Sequence, residues 1–339
     1  MSKKITFAVC GASLALLLSA CGGSNSSLED VQYDMNGATA EPSVSFETPF
    51  AAGETATHVI EEGNGEEIQD GDELIINASI FSGEDGSSQG TTYPSSPMVI
   101  PVSEDLKNNA PELYDVLSGA KVGTSFAYTS NEIPSMDGSE PSEAPKDTPT
   151  NVEVYTIAEK LPKEASGEET SKKDINSALD SFTLKDDGSA ELKLADKRGD
   201  APKKLVSENL IKGDGKKVGE NDTVYVRYQG VDWEKGEAFD GNFGNDKATA
   251  ALSLNQVIDG WKQGLAGKTV GSRVLLLIPS DQAYGDDAPE GQPSGALVFV
   301  VDILGATEGQ APGEAPSGSA QPSESAAPQQ SAQPSESAK

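Results

Sequence analysis

The sequence predicts an α+β protein of two domains. Each is a curved antiparallel sheet wrapped around one short helix, and the pair lies between a flexible N-terminal tether and a disordered C-terminal tail. Three observations lead there. A unit of about a hundred residues occurs twice, as an internal repeat that sets the architecture. Short runs of alternating apolar residues, separated by glycine-bearing turns, recur through both copies and read as strands. Only QVIDGWKQGL (256–265) carries helical spacing: Val257, Trp261 and Leu265 recur every four residues with Ile258 beside them, while Gly260 and Gly264 keep the helix short.

The repeat is read from aligned residues. GNGEEIQDGDELIINAS (63–79) lies over GDGKKVGENDTVYVRYQ (213–229), with Gly65 on Gly215, Asp72 on Asp222 and Ile76 on Val226. LSGAKVGTSFAY (117–128) lies over LAGKTVGSRVLL (265–276), and VEVYTIAEKL (152–161) falls less closely on VFVVDILGAT (298–307). In 224–228, Val224, Val226 and Tyr228 share one strand face and Tyr225 and Arg227 the other. RVLLLI (273–278) is a continuous apolar run and reads as a buried central strand, and Pro279 ends it.

The N-terminus reads as an address. Lys3 and Lys4 precede an apolar run at 5–18, shorter than the roughly 20 residues a bilayer-spanning helix needs. Leu18-Ser19-Ala20-Cys21 follows, then GGSNSS, which resembles a bacterial lipobox. That resemblance implies cleavage after residue 20, a diacylglycerol on the Cys21 sulfur, and a protein facing the extracytoplasmic side of the cell membrane. Two acyl chains give stable anchoring where one is marginal. Residues 1–20 are then a signal peptide, 21–40 a tether without apolar periodicity, 41–161 the first copy and 162–200 a charged, Ser-rich linker. Within that linker AELKLA (190–195) could be a strand, with VSF (44–46) standing analogously before the first copy. The second copy is 201–306. Residues 307–339 contain AQPSESA twice and read as a low-complexity tail.

Composition excludes several functions. Acidic residues number 55 against 25 basic, a net charge of −30, which opposes nucleic acid as a partner. The two cysteines, Cys10 and Cys21, and the single His58 supply neither a metal cluster nor a disulfide framework, and no nucleophile elbow stands near His58. The expectation is an activity with no cofactor and no metal.

The second copy is similar to the FKBP family of peptidyl-prolyl cis-trans isomerases. GDGKKV, VYVRYQG, AFDG, SLNQVIDGW, AYG and LVFVVDIL carry the resemblance in family-like order over 205–305. It implies a half-barrel around a helix with an aromatic pocket between them. Trp261 is then the pocket floor and Tyr228, Phe239 and Phe299 its walls. Val257 and Ile258 stand at the rim, with the Ile258 backbone N–H donating to a substrate carbonyl. Asp240 brings a carboxylate near the twisting amide, and the Tyr284 hydroxyl meets the substrate backbone. The implied partners are X–Pro segments of secreted proteins and macrolide-type ligands, on a monomeric protein held to the membrane through Cys21. Each residue also has a plainer reading: Trp261, Tyr228 and Phe299 as core, Asp240 as a turn carboxylate, Tyr284 as a loop aromatic.

Two departures from the family stand out. Segment 241–251 lacks the usual Arg and large aromatics, with Ala250 and Leu252 near positions usually held by Phe, and 286–295 is short and poor in apolar residues. A more open pocket is expected, with Phe243 partly compensating. The first copy departs further: Ala78 stands for Tyr228, Leu113 for Trp261, and neither FD nor AYG has a counterpart, so an inactive module is expected.

Three functions compete: a lipid-anchored isomerase, an FKBP-like binding module or chaperone with little turnover, and a structural envelope protein. Asp240 and Tyr284 favour the first over the third, since maintaining a fold requires neither. The short 286–295 segment leaves the second open.

Overall fold

The computed structural model describes residues 26–37, 40–93, 96–133 and 142–309. Cys21, residues 1–20 and residues 310–339 lie outside them, while the start of the expected tail does not, since Thr307 ends the last strand. Among the described residues no helix is long and apolar enough to cross a membrane.

The chain opens with a hairpin, β1 (Gln32–Asp34) and β2 (Ser43–Ser45). The first domain contains β3 (Ala56–Glu61), β4 (Glu73–Phe81), β5 (Ser88–Thr91), β6 (Met98–Pro101), helices α1 (Glu104–Asn109) and α2 (Pro111–Leu117), and β7 (Ser125–Thr129). A small hairpin, β8 (Glu132–Ile133) and β9 (Ser142–Glu143), and then β10 (Val152–Leu161) complete it. A connector carries β11 (Glu168–Glu169) and a second hairpin, β12 (Leu179–Leu184) and β13 (Ala190–Leu194). The second domain contains β14 (Val206–Lys212), β15 (Thr223–Asp232), β16 (Ala238–Gly241), β17 (Ala250–Ser253), α3 (Asp259–Leu265), β18 (Arg273–Ile278) and β19 (Leu297–Thr307).

Sheet order confirms the repeat. The first sheet runs β3-β7-β10-β4-β5 with β6 also on β4; the second runs β14-β18-β19-β15-β16 with β17 also on β15, and β11 adds an edge strand to β14. Every pairing is antiparallel. The helix of each domain packs into the concave face. In the second domain Trp261 and Leu265 meet Val224, Val226, Tyr228, Val274, Leu276, Ile278, Phe299 and Val301 there. Gly260 and Gly264 do more than shorten α3. A Cβ on Gly260 would stand 2.4 Å from Ile278 Cγ2, and one on Gly264 2.6 Å from Leu276 Cδ2, so both glycines let α3 lie close on β18. The helix is also three residues shorter at its start than the spacing predicts, with Ile258 as its N-cap. The first domain has two short helices instead of one, because Pro111 cannot continue α1 and Ala110 leaves helical backbone at φ −148°.

The linker expectation for 162–200 is corrected. Hairpin β12–β13 lies on the convex face of the second sheet, where Leu192, Ala178 and the half-buried Phe182 pack with Val231, Trp233, Leu275, Leu277, Val298 and Val300. Arg198 Nε and Nη2 donate to the Trp233 carbonyl at 2.9 and 2.6 Å. Upstream, the Ala165 N–H donates to Asp302 Oδ2, and the fully buried Asp302 takes both Nε and Nη2 of Arg273. The tether expectation is likewise corrected for its described part. Leu28 and Val31 are buried against Phe50, Phe81, Ala127, Val152 and Val154 on the outer face of the first sheet. The repeated unit is therefore a covering segment plus a half-barrel. This also explains the continuous apolar run in β18: Val274, Leu276 and Ile278 face the helix, while Leu275 and Leu277 face the hairpin.

Candidate active site

Four rings of the second domain come together on the face of its sheet that packs against α3. Trp261 meets Tyr228 edge-on at 5.2 Å and Phe299 at 5.2 Å and 83°, while Phe239 meets Phe299 at 5.6 Å and 87°. Edge-to-face arrangements at these separations are the favoured geometry of aromatic pairs. Strand register produces them: Tyr228 stands opposite Val301, and Gly230 opposite Phe299. Gly230 is a residue that sequence reasoning missed. A Cβ there would come 2.7 Å from Phe299 and 2.8 Å from Phe239, so only glycine lets the two rings close over the strand. A glycine inside a strand pattern is itself the signal for such an approach.

Three of the four rings are closed in. Trp261 and Phe299 are 0% exposed and Tyr228 3%, whereas Phe239, Asp240 and Tyr284 are half-buried and supply the parts solvent reaches. No described residue accepts from the Trp261 indole N–H, a buried donor inside the aromatic cluster. Asp240 is more than a turn residue. Its Oδ2 accepts from the Tyr228 hydroxyl at 2.7 Å, and its Oδ1 from the Gly241 N–H at 2.8 Å. Burial, and then the bond to Asp240, push the Tyr228 hydroxyl above the ordinary tyrosine range. Tyr284 is raised too, by burial first and by the Asp240 charge second. Both hydroxyls are therefore protonated donors at neutral pH.

Val257 and Ile258 lead into α3. They are 6% and 0% exposed and belong to the core cluster, and the Ile258 carbonyl accepts from Trp261 N and Lys262 N as α3 begins. Ala250 and Leu252 are core residues of β17, and the neck of the 286–295 loop is closed by Gly295 N–H on the Gly285 carbonyl. Phe243 does not compensate for the missing aromatics: it packs on Phe182 of the hairpin, centroids 5.4 Å apart. Asn242, also missed, holds the backbone at Tyr228. Its Oδ1 accepts from Tyr228 N at 2.7 Å and its Nδ2 donates to the Val226 and Ala248 carbonyls.

The first domain places other groups at equivalent positions. Ala78 lies opposite Tyr155, and Ile80 opposite Glu153, so register puts Glu153 where the second domain has Phe299. Tyr155 stands for Val301 and stacks on Phe126, centroids 5.2 Å apart, with Tyr128 edge-on at 6.5 Å. The aromatic ring stands two residues along the strand, and a carboxylate bonded by the Tyr155 hydroxyl takes the register position of Phe299.

Comparison with known proteins fits this division. Residues 214–304 match the model of the FKBP-type peptidyl-prolyl cis-trans isomerase family. A probable FK506-binding protein of Corynebacterium glutamicum is 39% identical over 109 residues, 32% of this chain and 92% of its own length. An FK506-binding protein of Streptomyces anulatus is 37% identical over 110 residues, 31% of this chain and 89% of its own. Among solved structures, a peptidyl-prolyl cis-trans isomerase of Pseudomonas syringae pv. tomato is 32% identical, with TM-score 0.28, over 30% of this chain and 75% of that one.

Proposed function

The chain belongs to the FKBP-type peptidyl-prolyl cis-trans isomerase family, and from that premise we propose a lipid-anchored isomerase that turns X–Pro bonds of secreted proteins in the aromatic socket of its second domain. Its activity class is peptidyl-prolyl cis–trans isomerisation. The anchor, the clients and the residue roles are the proposal.

The observation that carries it is the Trp261–Tyr228–Phe299–Phe239 cluster with Asp240 bonded at its edge. An X–Pro amide resists rotation by roughly 18–20 kcal/mol because resonance keeps it planar. Cis and trans differ by only about 0.5–1 kcal/mol, so speed and not direction is what a catalyst supplies. No bond breaks, and the task is to bind the twisted amide better than either planar form. The socket holds the proline ring against aromatic faces. Asp240 stands near the twisting amide, Tyr284 donates to the substrate backbone, and the Ile258 N–H donates to a substrate carbonyl. The first domain lacks these groups and serves without turnover. Anchoring follows from Cys21 at the end of the apolar run.

The test is a cis–trans assay on the full chain with X–Pro peptides. Trp261→Leu and Asp240→Val are expected to lower turnover about tenfold or more, ~1.4 kcal/mol upward, in a protein that still folds. Wild-type turnover in both variants would remove the socket from the mechanism. Cys21→Ser is expected to release the protein from membranes, and retention there would end the lipid-anchor reading.

A further inference from the structure

Taking the socket as the active site, we propose that Glu73 of the first domain is a positioning residue for it, acting through the 242–249 segment. The first domain then has a task of its own: it fixes one wall of its neighbour's site.

Glu73 begins β4 and lies outside the second domain in sequence, yet its partners are there. Oε1 accepts from the Thr249 N–H at 2.9 Å. Oε2 accepts from the Thr249 hydroxyl and from Arg227 Nη2, the latter at 3.2 Å. Arg227 Nη1 in turn donates to the Gly244 carbonyl at 2.6 Å. The carboxylate thus takes one end of the 242–249 segment directly and its middle through Arg227. Side chains of Glu73 and Arg227 are only 12% and 13% exposed, so solvent screens the pair weakly.

The segment they hold is joined to the socket. Asn242 spans it by donating to the Ala248 carbonyl, and the same side chain fixes the Tyr228 backbone N–H and the Val226 carbonyl. Asp240 lies two residues before it, bonded to the Tyr228 hydroxyl. Tyr228 and Arg227 are adjacent on β15 and face opposite ways, one into the socket and one toward Glu73. The junction between the two sheets is apolar. Ile75 and Leu161 pack on Tyr225 and Leu304, and a Cβ on Gly305 would come within 2.7 Å of Leu161 Cδ2. Glu73 therefore stands on a packed platform.

The experiment uses the full chain and the variants Glu73→Ala, Thr249→Val and their combination. Two quantities are read: amide hydrogen exchange across 242–250, and kcat and KM for an X–Pro peptide, with Trp261→Leu as the socket control. Glu73→Ala is expected to speed exchange in 242–250 and to lower kcat/KM about fivefold, carried mainly by KM, since small displacements of a positioning group are costly. Thr249→Val reaches the same contact from the catalytic side, and the double variant is expected to lose less than the product of the single losses. Unchanged exchange in Glu73→Ala overturns the clamp whatever turnover does. Faster exchange with unchanged kcat and KM, while Trp261→Leu is inactive, overturns the coupling and leaves the socket standing. Wild-type turnover in Trp261→Leu overturns the socket, and the proposed role of Glu73 in catalysis falls with it.

Discussion

The Tyr228 hydroxyl donates to Asp240 Oδ2 at 2.7 Å, across the strand pair β15–β16. This one bond joins a ring of the aromatic cluster to the only carboxylate among the proposed site residues. It gives Asp240 a fixed place that a turn carboxylate would lack. Replacing either partner should separate charge from shape. Asp240→Asn keeps an acceptor for the Tyr228 hydroxyl and should lose less turnover than Asp240→Val, which removes that acceptor. Tyr228→Phe keeps the ring, and its loss is expected to be within about tenfold. A peptide-series assay with parallel circular dichroism checks the order.

Gly230 is where the two phenylalanines close. Gly230→Ala is expected to push Phe239 and Phe299 apart and to destabilise the second domain by about 1–3 kcal/mol, as overpacking does. Denaturant midpoints measure the stability, and peptide affinity should fall with it. An unchanged midpoint would mean the rings yield freely.

The hairpin β12–β13 decides where the second domain begins. A fragment of 162–309 is expected to melt well above one of 201–309, because the shorter piece bares Val231, Leu275, Leu277, Val298 and Val300. Removing that cover returns apolar surface to water at about 25 cal/mol per Å². Calorimetry of both fragments checks this, and equal melting would show the hairpin to be dispensable.

Glu153 gives the first domain a pH dependence. Burial holds its carboxyl above the ordinary glutamate range, with the Tyr155 bond opposing. Between the unfolded and folded values the native state binds more protons, so its contribution is greatest below the unfolded pKa and is lost as pH rises through the folded one. Glu153→Gln is expected to flatten the melting profile above the ordinary glutamate pKa and to stabilise the domain on the alkaline side of it. Melts at several pH values settle the sign.

Much of the fold was legible because strands announce themselves by period. Val224, Val226 and Tyr228 do share the inner face, and the offsets that align 63–79 with 213–229 place Tyr228 over Ala78, as the register confirms. The covering hairpins were harder to read. Their strands are short, charged on one side and distant in sequence from the faces they cover. A signal was nonetheless present: RVLLLI lacks alternation, which only a sheet covered on both faces requires.

By itself, then, the sequence determined the repeat, the strand faces, the helix and the aromatic residues from which a socket could be built, since each follows from local spacing. Tertiary structure alone decided what those residues meet. Closure of Phe239 and Phe299 over Gly230, the Tyr228–Asp240 bond, Phe243 turned toward the hairpin and Glu73 reaching Thr249 all join residues by distance in space. Such contacts depend on where whole strands come to lie, and no local period encodes that.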